Sequence, residues 1–258
     1  MTPRMPVVFV SHGSPDALLK APDAVAIWRT IGHDLPKPQA ILAVSAHWET
    51  RVPTLSRSKK PPTIHDFSGF SAELYQLDYP AAGSPELAER ASALVTSAGI
   101  ANEFHADRGL DHGAWVPLLA MYPEAKLPVT QLSLIRHGDA AAHFALGQAL
   151  APLRDENVLI LCSGAITHNF SWLSGPAAGA AIRPEALAFS DWMGEQLSTR
   201  NTKALLDYRS APYGAESHPS AEHILPLFVA LGASNDQAPK RYPADFAYGG
   251  LSMDAYVW

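Results

Sequence analysis

Cysteine is nearly absent from this sequence, which has a single one, Cys162. One thiol excludes an intrachain disulfide, and it excludes a zinc site built from several cysteines. Cys162 ends an apolar, strand-like stretch at residues 158–162, so we expect a buried, inert thiol and not a nucleophile. Any metal site in this protein must therefore draw its ligands from other side chains.

Positive charge and long apolar runs are also scarce. The chain has 19 Lys and Arg residues against 25 Asp and Glu, a formal net charge of −6, and it lacks the basic excess typical of nucleic-acid binding. No run of about 18 apolar residues is present, so we expect neither a spanning helix nor a membrane partner. The first residues lack the charged-then-apolar pattern of a secretion signal. We therefore expect a soluble, cytoplasmic protein.

Apolar stretches typical of buried strands alternate along the chain with helical patterns. Hydrophobic residues make up 47% of the sequence, which is enough for a sizeable core. The strand-like stretches lie at residues 6–10, 40–44, 129–134 and 158–162. The helical patterns lie at residues 85–98, 139–153, 184–198 and 219–232, with Ser84 as the cap of the first and Gly99 at its end.

This alternation predicts an α/β fold with a mostly parallel central sheet and helices on both of its faces. Residues 51–80 are rich in Pro, Ser and aromatic side chains and are predicted to form a long functional loop, not a domain boundary. Because no linker or repeat is visible, we expect a single domain over residues 1–258.

Four histidines lie where strand-like stretches end or a helix begins. His12, His47 and His168 follow strand-like stretches, and His223 falls in the first turn of the helix predicted at 219–232. In open α/β sheets, ligands collect beyond the carboxyl ends of the strands. Imidazole binds borderline transition metals and titrates near neutral pH. The pattern predicts a metal site with an attached acid/base group at that edge, with Glu222 as a ligand that competes with His223.

The remaining histidines carry weaker signals. His112 lies in a Leu-Asp-His-Gly-Ala-Trp segment and His65 in the long loop, and we expect both to line a site. We expect His218 to cap a helix or lie on the surface. Surface positions are also the expectation for a further set, which comprises His33, His105, His137 and His143.

Seven motifs in this order resemble those of the class III extradiol ring-cleaving dioxygenases, a LigB-like family, and in particular its 4,5-DOPA dioxygenase branch. They cover nearly the whole chain and lie at residues 11–15 (Ser-His-Gly-Ser-Pro), 45–48 (Ser-Ala-His-Trp), 61–67 (Pro-Pro-Thr-Ile-His-Asp-Phe), 110–113 (Leu-Asp-His-Gly), 163–169 (Ser-Gly, then His-Asn), 222–226 (Glu-His-x-x-Pro) and 250–253 (Gly-Leu-Ser-Met).

The resemblance implies a non-haem metal at the carboxyl end of the sheet, with His12, His47 and His223 as ligands. It implies that His168 acts as an acid/base group, and it leaves open a role for His168 as a fourth ligand. His112 is implied to be a second histidine on the substrate side. Better-known class III enzymes have a Glu as third ligand, so His223 with Glu222 beside it is a departure. Fe(II) fits the implied activity, and Zn²⁺ is also a plausible metal for such a site.

The implied substrates are a DOPA-like catechol and O₂. Aromatic side chains are expected to form apolar walls around the flat ring, with His65 also on the substrate side, and they are Trp48, Phe67, Phe70 and Trp115. Two other functions stay open on the sequence alone. One is a zinc hydrolase that uses the same histidines, and the other is a non-enzymatic binding protein of the same fold. The sequence leaves the oligomeric state open.

Overall fold

A sheet of eight strands runs through the middle of the protein in the computed structural model, which describes residues 4–258. An antiparallel pair of two-residue strands lies apart from it. The ten strands are β1 (Val7–Ser11), β2 (Ala40–Thr50), β3 (Thr54–Ser56), β4 (Glu103–His105), β5 (Val129–Ile135), β6 (Val158–Gly164), β7 (Lys240–Tyr242), β8 (Phe246–Ala247), β9 (Leu251–Ser252) and β10 (Ala255–Val257).

The strand order of the large sheet is β4-β3-β5-β2-β6-β1-β10-β7. The four central strands pair in parallel, β5 with β2, β2 with β6 and β6 with β1. Antiparallel pairs occur towards the two edges, where β3 meets β5 and where β10 meets β1 and β7. The carboxyl ends of the central strands therefore share one edge, and the predicted mostly parallel sheet is confirmed.

Helices cover both faces of this sheet, as predicted. They are α1 (Ala17–Lys20), α2 (Pro22–Asp34), α3 (Pro85–Ser97), α4 (His112–Met121), α5 (Ala140–Leu150), α6 (Pro184–Ser198), α7 (Thr202–Leu206), α8 (Gly214–Ser217) and α9 (Leu225–Ala233). Successive strand residues point to opposite faces. Phe9 and Leu42 pack in a core with α3, α5, α6 and α9, whereas Val8 and Ile41 pack in a second core with α2 and α4.

Most predicted elements occur where the sequence pattern placed them. Helix α3 begins at Pro85 with the Ser84 side chain accepting a hydrogen bond from the Leu87 backbone, and α6 has the predicted bounds. Cys162 is fully buried in β6, and burial raises the pKa of its thiol, as expected for an inert residue. None of the helices within residues 4–258 combines the length and the apolar character needed to cross a lipid bilayer.

Other expectations differ from the structure. The helix predicted at 219–232 begins only at Leu225, because Pro226 suits a first turn and not a helix interior, so His223 lies just before the helix. The loop predicted at 51–80 contains β3 and a short 3₁₀ turn at Leu74–Gln76. His143 and His218 are fully buried and not on the surface, since each has a ring nitrogen within 2.8 Å of a backbone carbonyl oxygen.

Leu42→Ala tests the two-sided core, because Leu42 is fully buried in the central strand β2. We expect the free energy of unfolding to fall by about 2–5 kcal/mol, the usual cost of such a truncation in a core. The matched control is Leu19→Ala, whose side chain is 55% exposed and should contribute less than about 0.5 kcal/mol. Urea titration of both variants measures the difference, and equal losses would contradict this arrangement of the core.

Candidate metal centre

Five histidine rings meet at the carboxyl edge of the central strands. His12 directly follows β1, and His47 lies within β2, in the stretch where its register with β5 shifts. His112 begins α4, His223 precedes α9, and His168 follows β6. Each ring centroid lies within 5.5 Å of at least one other member of this histidine cluster. Sequence positions far apart are thus brought to one point by the parallel strands.

Three of these rings present nitrogen atoms to a common point. One ligand atom each from His12, His47 and His223 lies within 4.8 Å of the others, and the Nε2 atoms of His12 and His47 are 3.0 Å apart. Two nitrogen atoms bound to one ion at about 2.0–2.1 Å would lie roughly 3 Å apart. The spacing of this donor set therefore fits a shared transition metal.

Burial keeps these rings neutral. It lowers the pKa of His12 and of His223 well below the usual value, and it lowers the pKa of His47 to about 4. The neighbouring histidines add to the effect, because a second positive charge in the cluster would be repelled. A neutral imidazole offers a lone pair to a metal, so the protonation state of the cluster also fits a metal site.

The tautomer of His12 follows from its hydrogen bonds. Its Nδ1 lies 2.9 Å from Ser163 Oγ, and the Ser163 hydroxyl in turn donates to the Gly113 carbonyl oxygen. Because the Ser163 proton is already used, Ser163 Oγ must accept from His12 Nδ1–H. The lone pair of His12 is then on Nε2, the atom that faces His47.

Glu222 orients His223 in the same way. Its Oε1 lies 3.0 Å from His223 Nδ1 and also accepts a hydrogen bond from the Ser220 hydroxyl. A carboxylate only accepts, so His223 carries its proton on Nδ1 and keeps Nε2 free. His168, Glu222 and His223 also bring one ligand atom each within 4.8 Å of the others, so they form a second group of possible ligands that shares His223 with the first.

His168 stacks directly on His223. The two ring centroids are 3.4 Å apart and the planes differ by 8°. Burial lowers the pKa of His168, and the Glu222 carboxylate partly opposes this. His168 therefore lies close enough to the centre for either of the roles considered for it, acid/base group or fourth ligand.

Asp66 holds His112 in place, although the sequence patterns did not single it out. Its Oδ1 is 2.9 Å from both the backbone nitrogen and the ring Nδ1 of His112. Burial alone would raise the pKa of Asp66, but the hydrogen bonds from His112 outweigh it and lower the value to about 2. The His112 ring centroid is 3.9 Å from that of His47, so the carboxylate steers a ring that touches the candidate ligands.

Gly113 allows α4 to approach the cluster closely. A Cβ atom at this position would lie 2.3 Å from Ser45 Oγ, 3.0 Å from His47 Cδ2 and 3.3 Å from His12 Cε1. Such distances are below ordinary van der Waals contact, so only glycine fits there without a shift of the histidines. The glycine of the Leu-Asp-His-Gly motif is therefore required by packing against two candidate ligands.

A largely apolar cavity of about 420 Å³ opens onto the histidine cluster. Four members of the cluster and a carboxylate line it, together with a set of mostly apolar residues. The complete lining comprises Gly13, Ser14, Pro15, His47, Phe67, Phe70, His112, His168, Phe170, Leu173, Glu222, His223, Tyr248 and Leu251.

The expected aromatic wall is only partly found. Phe67 and Phe70 line the cavity, whereas Trp48, Trp115 and His65 do not. Trp48 packs under the Arg108 guanidinium, Trp115 donates to the Ile64 carbonyl oxygen from full burial, and His65 Nε2 lies 2.9 Å from the Leu77 carbonyl oxygen. Trp115 and His65 support Phe67 from behind, with ring centroids 6.3 and 5.7 Å from it. The sequence could not separate the two layers, because both consist of aromatic residues in neighbouring segments.

Residues 5–256 match a family model described as the catalytic LigB subunit of aromatic ring-opening dioxygenase. The chain belongs to this family. The resemblance inferred from the seven motifs is confirmed, and the protein is an aromatic ring-opening dioxygenase by its family.

Named relatives and a solved structure agree with this. The 4,5-DOPA dioxygenase extradiol of Beta vulgaris is 43% identical over 236 residues, 89% of this chain and 87% of that protein. The protein of the same name in Escherichia coli (strain K12) is 39% identical over 254 residues, 97% of this chain and 93% of that protein. The crystal structure of an uncharacterized protein from E. coli K12 superposes with a TM-score of 0.81 at 33% identity, covering 98% of this chain and 99% of that chain.

Asp66→Ala tests the support of His112. The change leaves the backbone and ring N–H groups of His112 without their acceptor, so we expect the free energy of unfolding to fall by about 1–3 kcal/mol. Asp66→Asn keeps an acceptor oxygen and should lose less. The control is Asp107→Ala, which removes a carboxylate that is 87% exposed. Denaturant titration measures all three, and an Asp66→Ala variant as stable as the control would rule out this role.

Proposed function

We propose that the histidine cluster holds a non-haem Fe(II) ion and that the protein opens the ring of a DOPA-like catechol with O₂. The observation that carries the proposal is the set of three neutral imidazoles, two of them oriented by hydrogen bonds, at one end of an apolar cavity. Bound there, Fe(II) supplies the redox chemistry with O₂ that the protein side chains lack. One catalytic domain over residues 1–258 is part of the proposal.

The ligands in this proposal are His12, His47 and His223. Hydrogen bonds hold the ring proton of His12 and of His223 on Nδ1, so both residues have Nε2 free for a metal. Three neutral nitrogen ligands suit either Fe(II) or Zn²⁺, so the donor set alone does not choose between the two metals. The need of ring opening for O₂ favours iron, because zinc has no redox chemistry.

His168 is proposed as the group that takes a proton from a catechol hydroxyl. It lines the cavity, and its lowered pKa leaves it neutral and able to accept a proton at neutral pH. His112 donates a hydrogen bond from Nδ1–H to the Asp66 carboxylate, so its Nε2 is the atom left for the substrate. Phe67 and Phe70 provide apolar surface against which a flat ring can pack.

The function is tested by adding DOPA to Fe(II)-reconstituted protein in air and without O₂. We expect a coloured ring-opened product only in air, and none with Zn²⁺-loaded protein. The relatives named for 4,5-DOPA make this compound the first choice. Turnover that needs no O₂ would instead support a zinc hydrolase, and catechol binding without any turnover would support a binding protein.

Removal of the proposed ligands should lower the metal content. We expect His12→Ala, His47→Ala and His223→Ala each to lose most of the bound metal, since each removes about a third of the donor set. His137→Ala is the matched control, because that side chain is exposed and belongs to none of the groups of possible metal ligands within residues 4–258. Elemental analysis of purified, reconstituted samples provides the measurement. Full occupancy in any of the three variants would remove that residue from the ligand set.

His168→Ala separates proton transfer from metal binding. We expect most of the metal to remain and turnover to slow by roughly 10²–10⁴-fold, the usual scale for a lost general acid or base. Metal analysis and single-turnover rates on the same sample give both quantities. Near-complete loss of metal would instead identify His168 as a structural fourth ligand.

A further inference from the structure

Among the described residues, the lining of the cavity contains a negatively charged side chain but no lysine or arginine to balance it. Glu222 is the only lining residue with a formally charged side chain, and no Lys or Arg of residues 4–258 is part of the lining. Both hydrogen bonds of the Glu222 carboxylate end on Oε1, from His223 and Ser220. Oε2 has no hydrogen-bond partner among the described residues, so one oxygen of this lining carboxylate remains available as an acceptor.

The hydroxyl groups of the lining are already committed. Ser14 and Tyr248 both donate to the Asp16 carboxylate, which lies buried behind the wall. Lys20 neutralises Asp16 from outside, with its Nζ 2.6 Å from Asp16 Oδ2. Neither hydroxyl therefore offers a free O–H donor to a bound molecule. The Lys20 ammonium is already paired with the Asp16 carboxylate.

Arg108, which donates a hydrogen bond to the His47 carbonyl oxygen, is not part of the lining either. The Arg108 guanidinium pairs with the buried Asp111 carboxylate at 3.3 Å and lies over the Trp48 ring. A negatively charged substituent in the cavity would thus meet Glu222 and no compensating cation in the lining. Apart from the imidazoles at the cluster, no described side chain in the lining can donate to a carboxylate.

The rest of the cavity suits an apolar or cationic group. Phe67, Phe70 and Phe170 line it, and Phe170 is 73% exposed at the side chain next to His168. Aromatic faces attract ammonium groups as well as apolar ones. A volume of about 420 Å³ is within the range of pockets for ligands larger than a bare catechol, so there is room for a ring substituent.

We propose that this site selects against catechols whose side chain carries a net negative charge, that it prefers a side chain that ends in an ammonium group, and that Glu222 is the residue responsible. DOPA, whose side chain carries one charge of each sign, has no net negative charge and stays within the accepted class. The inference rests on the proposed function, because it names the substrate class of the same site. A bound metal would act on the catechol oxygens, which are common to all substrates compared, so differences between side chains report on the lining.

The test compares three catechols that differ in the charge of the side chain: dopamine, 4-ethylcatechol and 3,4-dihydroxyphenylacetate. We measure kcat/KM with Fe(II)-loaded protein and dissociation constants with Zn²⁺-loaded protein by calorimetry. Dopamine should exceed 3,4-dihydroxyphenylacetate by roughly tenfold in both measurements, the scale expected for one partly screened charge. The neutral compound should fall between them.

Glu222→Gln isolates the charge, because Gln keeps an oxygen that can accept from His223. Since Glu222 supports a proposed ligand, absolute rates are expected to change, and the ratio between dopamine and 3,4-dihydroxyphenylacetate within each variant is the readout. We expect this ratio to fall to about one. Glu216→Gln is the control, because it removes a negative charge from an exposed position outside the lining and should preserve the ratio.

The outcomes are distinguishable from those of the proposed function. Equal or better use of 3,4-dihydroxyphenylacetate by the unmodified protein would overturn the inference, and so would an unchanged ratio in Glu222→Gln. If no catechol is opened in air, the proposed function fails, while the order of the dissociation constants still decides which side chains the cavity accepts.

Discussion

Burial of imidazole rings without positive charge is the constraint on which the site depends. Five rings crowd at one edge of the sheet, so protonation of several of them is unfavourable, and burial lowers the pKa of His12, His47 and His223. Buried neutral rings still need partners for their N–H groups. Ser163 and Glu222 accept hydrogen bonds from Nδ1–H of His12 and of His223, which leaves Nε2 of both rings free for a shared metal.

The parallel sheet makes this crowding possible. His12 and His47 converge because the parallel strands β1 and β2 end at the same edge. His168, which follows β6, and His223, which precedes α9, join them there. The edge is then closed by α4, whose first residues are His112 and Gly113. Asp66 accepts a hydrogen bond from the first residue of this helix, and Ser163 of β6 donates one to Gly113. The loop, the helix and the sheet therefore fix the position of the cluster together.

Much of this arrangement was predictable from the sequence, since apolar runs identify buried strands and the residues after them share an edge. The predicted start of the helix at 219–232 was wrong, because Pro226 and not Pro219 lies in its first turn. Asp66 was missed because its partner His112 is 46 positions away, and only the fold brings the two together. Local patterns also could not separate aromatic residues that line the cavity, such as Phe67, from those that support them, such as Trp115.

The close approach at Gly113 divides the site into a part that tolerates no change and a part that does. At the histidine cluster, even one methyl group on Gly113 would collide with Ser45 and His47, so this part of the site leaves no room for variation in shape. The outer wall is different, because Phe70 and Phe170 lie in segments outside the strands and have exposed surface. New substrate ranges can therefore arise by exchange of wall residues alone, which would leave the chemistry in place and make this scaffold suited to divergence in specificity.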